Sequence, residues 1–266
     1  MRRALLVARS EFLKYVTRRG FIISLVMFPI WVVIGGVVPQ WIESKTPTRN
    51  FTVVDRTGGQ YAFAIAKAAR DDAEIAERDA LSAYAETHLD MNALRARLPA
   101  IAVILDTQSE DTETLAQFRK AGGTQGVVSL TEPFHRDKVA FVPPRPRFHF
   151  LPPGNLAKTS EGMFALTVNE RLSGSNSLYA IVSIPKGFSA AKDSPEAEFW
   201  SVNASDPELE HFVRRALTEE LRRQALAKYA PDVPPETFKP NAKLRAFDPA
   251  ASSGDHELSL ADQART

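Results

Sequence analysis

The sequence predicts an α/β domain, open to a two-lobed reading with a repeated βα unit, held to a membrane by one N-terminal transmembrane helix. Three observations carry that expectation. Residues Phe21 to Ile42 form a run of 22 residues without a charge. Beyond it, short apolar runs of strand length alternate with longer stretches of helical periodicity. The chain of 266 residues is 44% hydrophobic and has no cysteine. An ordinary apolar core must therefore hold the domain, without disulfides, and cysteine-ligated zinc and thiolate catalysis are excluded.

Residues 1–19 read as a cytoplasmic amphipathic helix lying at the interface. Leu5, Leu6, Phe12, Leu13 and Val16 share one broad face, with basic residues opposite; a plain cytoplasmic extension of the span is the alternative. Residues 20–42 are the transmembrane helix. Its uncharged run, opened by Phe21 and containing Trp31, rises about 33 Å and matches a hydrocarbon core of about 30 Å. Tyr15 and Arg18-Arg19 mark one interface and Trp41 the other. Pro29, Pro39 and Gly35-Gly36 would break a soluble helix but are tolerated in a membrane one. A cleaved signal peptide has a shorter apolar region and a small-x-small site, which Val38-Pro39-Gln40-Trp41 is not. A buried soluble helix would need apolar neighbours on every side.

Charge orients the span. Residues 1–20 hold six basic groups and one acid; taking these from totals of 33 and 32 leaves 27 basic against 31 acidic groups. The positive excess sits at one end, which places the N-terminus in the cytoplasm and the main domain outside, in a single-pass protein of the cell (inner) membrane. The mildly acidic remainder argues against a nucleic-acid surface.

Residues 43–50 are a polar linker, and residues 51–248 are the extracytoplasmic α/β domain. Phe51-Thr-Val-Val54 is a strand closed by the turn Asp55-Arg-Thr-Gly58-Gly59. A helix follows from Gln60 to about Arg78, with Phe63, Ile65 and Ala68 suited to burial. Met91–Leu98 and Thr112–Lys120 read as short helices. Ala100–Leu105 is an apolar run without alternation, expected as a strand buried on both faces. Ala121–Asn155, rich in Gly and Pro, reads as an inter-lobe connection containing one strand at Phe148–Leu151. Ser160–Leu172 is a helix, Leu178–Ile184 a second buried strand stopped by Pro185, and Glu198–Val202 a third. Asp206-Pro207 opens a helix to about Lys228. Leu209, Phe212, Val213, Ala216, Leu217 and Leu221 form its apolar stripe, with Glu210–Arg214 and Glu219–Arg223 as i,i+4 pairs on the wet face. Residues 249–266 are a polar tail. Residues 51–57 and 199–205 resemble each other as strand, Asx residue and hydroxyl before a long helix, with Ile65 and Ala68 opposite Val213 and Ala216. Duplication and a shared need for an Asx cap both account for this.

Catalytic signatures are missing from the sequence. There is no G-x-x-x-x-G-K-[ST] phosphate loop, no H-x-x-x-H or H-E-x-x-H spacing and no G-x-S-x-G elbow. The expectation is a non-enzymatic chain with no cofactor, no metal and no catalytic residues. Asp55, Arg56 and Asn203 follow strands, where α/β sheets often bind ligands; helix capping and turn formation are the favoured account of them.

Several segments, in order, resemble the start of type-2 ABC exporter permeases of the sodium-extrusion or multidrug class. They are Ala4-Leu-Leu-Val-Ala-Arg-Ser-Glu11-Phe-Leu, Thr17-Arg-Arg-Gly20-Phe21-Ile-Ile-Ser24, the Pro29-containing span and Phe51-Thr-Val-Val-Asp55-Arg-Thr-Gly58. Leu178-Tyr-Ala-Ile-Val-Ser-Ile-Pro-Lys-Gly-Phe188 and Val202-Asn-Ala-Ser-Asp206 resemble that family's outer domain. The resemblance implies a membrane permease subunit, paired with a second permease subunit and driven by a separate cytoplasmic ATPase subunit. Family members have about six spans and this sequence shows one run of spanning length. The implied role is thus that of a truncated or split permease contributing the first span and outer domain to transmembrane transport. A single-span, membrane-anchored extracytoplasmic binding or accessory module is the alternative.

Overall fold

The computed structural model describes residues 47–106, 112–174, 178–191, 193–203, 207–229 and 242–247, with Met27 and Pro249 as single positions. The interfacial helix, the membrane helix with Phe21, Pro29, Trp31 and Trp41, and the polar tail lie outside these residues, apart from Met27 and Pro249. Among the described residues no helix is long and apolar enough to cross a membrane. The chain divides into two compact units, Met1–Pro47 and Thr48–Thr266, and the sheet and helices named below all belong to the second.

Its centre is a mixed five-stranded sheet. In chain order the strands are β1 (Arg49–Asp55), β2 (Phe148–Leu151), β3 (Ala180–Ile184), β4 (Ala197–Ser201) and β5 (Leu244–Phe247), arranged β2-β1-β3-β4-β5. β1 is parallel to both β2 and β3, β4 is antiparallel to β3, and β5 is parallel to β4. β1 starts at Arg49, so the linker expected over residues 43–50 gives up its last two residues to the sheet. All five residues of β3 are buried, Ser183 included, as its largely apolar run requires of a central strand covered on both faces.

Among the described residues seven α-helices complete the unit: α1 (Gln60–His88), α2 (Met91–Arg97), α3 (Pro99–Asp106), α4 (Thr112–Lys120), α5 (Gly123–Thr131), α6 (Glu161–Ser173) and α7 (Glu208–Tyr229). The strands alternate between two cores, because successive side chains leave a strand on opposite faces. Phe51, Val53, Val182, Ile184 and Phe199 meet Ile65 of α1 and Val213 and Leu217 of α7. Val54, Ile181 and Trp200 meet Phe164, Val168 and Leu172 of α6 on the other face. Trp200 stacks on Phe247, centroids 4.6 Å apart.

α1 runs ten residues past its expected end at Arg78, since nothing from Asp79 to His88 breaks a helix. Its first half, through Tyr61, Ile65 and Ala69, belongs to the sheet core. Its last turns, through Leu81 and Ala85, join a third core with Leu94, Ile104, Leu105, Phe118 and Val127 from α2 to α5. The second lobe is therefore helical, and a single helix serves both lobes. Between the two stretches Arg78 is fully buried and donates from Nε and Nη2 to Asp79 Oδ1 at 3.1 and 2.7 Å.

Several expectations are corrected. Ala100–Leu105 lies in helix α3, not in a strand. Ile101, Ala102, Ile104 and Leu105 are buried while Val103 is 54% exposed, a helical spacing that a short unbroken apolar run does not reveal. The stretch 121–155, read as a connection with one strand, also holds α5, the 3₁₀ turn Glu132–Phe134 and the start of a second, Gly154–Lys158. Gly122 and Gly123 have φ of 90° and 62°, and at Gly126 a Cβ would sit 1.9 Å from the Ala121 carbonyl oxygen. The glycines there permit a tight helix-to-helix turn. Phe63, expected inside, is 65% exposed. On α7, Arg223 pairs with Glu220 at i,i+3, not with Glu219, and Glu219 is 3.7 Å from Arg222. The Glu210–Arg214 pair forms as expected.

The β1–α1 and β4–α7 units both place their helix over the same sheet face, with Ile65 and Val213 both fully buried. Their strands run in opposite directions with β3 between them, so the two units do not repeat each other's setting in the sheet.

Candidate functional site

The strand-end positions do not converge. Asp55 pairs across to Ile184 at one end of β3, whereas Ser201, two residues before Asn203, pairs with Ala180 at the other. The antiparallel direction of β4 thus sends Asp55 and Asn203 to opposite ends of the sheet. Asp55 acts as a remote helix cap. Its Oδ1 accepts from Thr57 N and Oγ1 at 2.8 and 2.6 Å, and its Oδ2 accepts from Tyr61 N and Ala62 N at 2.9 and 3.0 Å. Gly59, at the N-cap position itself, has no side chain to offer, and the carboxylate meets two of the free amides of the first turn. Arg56 lies over the Phe164 ring, 5.4 Å from its centroid, and its Nη2 reaches the Thr159 carbonyl at 3.5 Å. The Asn203 amide donates to Ser201 Oγ at 3.2 Å.

The histidines, scattered in sequence, partly gather. His88 Nδ1 lies 2.7 Å from Asp137 Oδ2 and His135 Nδ1 lies 3.5 Å from the Tyr84 hydroxyl. Tyr84 packs against both imidazoles, 4.7 and 5.9 Å from their centroids, and its hydroxyl donates to the Val139 carbonyl. The His88 hydrogen bond, helped by the Val139 amide, holds the Asp137 carboxyl below its ordinary value. Two backbone bonds, Asp90 N to Phe134 O and Arg136 N to His88 O, both 2.8 Å, share the work of pinning residues 134–141 to the end of α1. Among the described residues no group of three or more His, Asp or Glu side chains is placed to hold a metal ion.

A cleft of about 770 Å³ opens between α1 and α7. It exists because Ala64 and Ala68 face Ala216 where bulkier side chains would close the gap. Its charges are mostly spent on each other: Lys67 with Asp71 at 2.6 Å, Arg222 with Glu219, and Arg223 with Glu220 at 2.7 Å. Glu220 is only 6% exposed and also accepts from Gln224 Nε2 at 2.7 Å. Gln224 Oε1 lies 3.1 Å from the Tyr61 hydroxyl, which also reaches the Phe188 carbonyl at 3.2 Å. This network ties α1, α7 and the loop after β3 together under the cleft floor. Among the described residues it sets no nucleophile against a base.

Burial is the main cause that pushes the Tyr61 hydroxyl above its ordinary 10.0, with Glu220 and Asp55 adding to it and Gln224 opposing. An acid whose folded pKa is raised contributes stability that is whole below the unfolded pKa and is lost as pH rises through the folded one. Alkaline unfolding followed by circular dichroism is therefore expected to show stability falling above about pH 10. In Tyr61→Phe part of that fall disappears, while at neutral pH the variant loses about 1 kcal/mol with the hydroxyl's hydrogen bonds. Identical alkaline profiles for the two proteins would refute this.

Neither the cleft nor the Tyr61–Gln224–Glu220 network is among the candidates that the sequence suggests. The one local signal is the alanine content of α1, which also suits an ordinary helix. No family model, no curated protein and no solved structure matches this chain.

Proposed function

We propose that this chain is a permease subunit, truncated or split, of an ABC-type export system, contributing the first span and the outer domain to transmembrane transport. The observation that carries the reading is the order of the motifs. The basic flank, the uncharged run from Phe21 to Ile42, the Phe51–Gly58 segment and the Leu178–Phe188 segment follow one another as in type-2 exporter permeases. The last two segments form β1 with its capping turn and β3 with its following loop, the central joints of the sheet. A domain with binding clefts, and no catalytic group assembled among the described residues, suits such a subunit. ATP hydrolysis then belongs to a separate cytoplasmic ATPase subunit, and a second permease subunit supplies further spans.

The test is purification of the full chain from its native membrane in mild detergent, with quantitative mass spectrometry of what accompanies it. An ABC ATPase at near-stoichiometric yield, together with vanadate-sensitive ATP hydrolysis, is the expected result. A lone, stable chain without an ATPase would refute the permease reading and leave a membrane-anchored binding module, which the clefts along α1 favour. Reporters fused after Arg19 and after Thr266 are expected on opposite sides of the membrane; both on one side would overturn either reading.

A further inference from the structure

On the other flank of α1, a second cleft of about 500 Å³ lies between that helix and edge strand β2. Its size falls in the range of small-molecule sites, about 300–1,000 Å³, which pair a mostly apolar lining with a few polar groups. Phe63, Phe150 and Pro146 supply apolar walls, and the floor is the alanine face of α1. Among the described residues two polar side chains line it, Arg70 and His149, and no acid does. This sets it apart from the α1–α7 cleft, where acids answer most of the bases.

Arg70 is exposed and makes no ion pair or hydrogen bond among the described residues. Its neighbours are not so placed: Arg147 pairs with Asp72 at 2.8 Å, and Arg119 pairs with Asp71 and Glu74. His149 Nδ1 lies 3.1 Å from Asn50 Oδ1. An amide oxygen only accepts, so Nδ1 donates to it and the ring stands as part of the cleft wall. A guanidinium without a partner among the described residues, beside an imidazole ring and an aromatic wall, matches a planar anion on an apolar body.

We propose that the cleft between α1 and β2 binds a small amphipathic organic anion, a carboxylate on an aromatic or branched apolar body. Arg70 pairs with the carboxylate, and Phe63, Phe150, Pro146 and the His149 ring enclose the body. The proposal stands apart from the transport reading, since it uses only residues of the α/β domain.

The probe is 2-naphthoate, titrated calorimetrically into the full chain in phosphatidylcholine nanodiscs, with empty nanodiscs as blank. Saturable one-to-one binding is expected. Both the neutral analogue 2-naphthamide and the variant Arg70→Ala are expected to weaken it about tenfold or more, since each removes a charge-assisted bond. Ala66→Phe, which fills the floor, is expected to abolish it; Ala73→Leu replaces that variant should it fail to melt cooperatively. Arg70 is exposed, so Arg70→Ala should melt like the parent. No saturable binding to the parent chain, or binding unchanged in Arg70→Ala, would overturn the proposal.

Discussion

Asp55→Ala is expected to destabilise the α/β domain by about 2–4 kcal/mol, more than a typical N-cap loss of about 1 kcal/mol. The reason is the number and kind of bonds the carboxylate accepts. Two come from the Thr57 turn and two from Tyr61 N and Ala62 N in the first turn of α1. With Gly59 at the cap position, no side chain stands there to take over. A negative charge at this end of a 29-residue helix also meets the positive end of its dipole. Asp55→Asn keeps one acceptor oxygen and should lose about half as much. Thermal melts and hydrogen exchange at Tyr61 and Ala62 would check both values. A loss below about 0.5 kcal/mol in Asp55→Ala would show that the turn holds without it, since that is the ordinary scatter of neutral surface changes.

Phe118→Ala is expected to cost about 3–5 kcal/mol, the usual range for removing a buried aromatic ring, and to do so unevenly. Phe118 is 1% exposed in the helical core with Leu81, Leu94, Leu105 and Val127. That core shares α1 with the sheet lobe but none of the buried residues of the sheet cores. Cooperative units of this kind can open separately. Hydrogen exchange should therefore quicken across α2 to α5 and the last turns of α1, while β1, β3 and β4 stay protected. Phe51→Ala, in the sheet core with Phe212 at 6.5 Å, should reverse the pattern. Equal loss of protection in both lobes from either variant would mean that α1 couples them into one unit.

A good part of this architecture is written locally in the chain. The largely apolar run of β3, the β-branched run of β1 and the apolar stripe of α7 each carry their own state, because propensity and periodicity act within a few residues. The capping role open to Asp55 is also legible, since an Asx residue before a helix has few other uses. Other features depend on partners distant in sequence. Strand direction is one such case. No local pattern makes β4 antiparallel to β3, yet that choice separates Asp55 from Asn203 and disperses the strand-end candidates. The helical state of Ala100–Leu105 is another, because six apolar residues satisfy either state until neighbours such as Phe118 choose the buried face. Phe63 follows the same logic. Its position on α1 suits burial, but α7 and β2 pack to either side of that helix, leaving the ring exposed between two clefts. The clefts are made by what alanines leave unfilled between elements, and empty space between distant segments has no local signature in a chain.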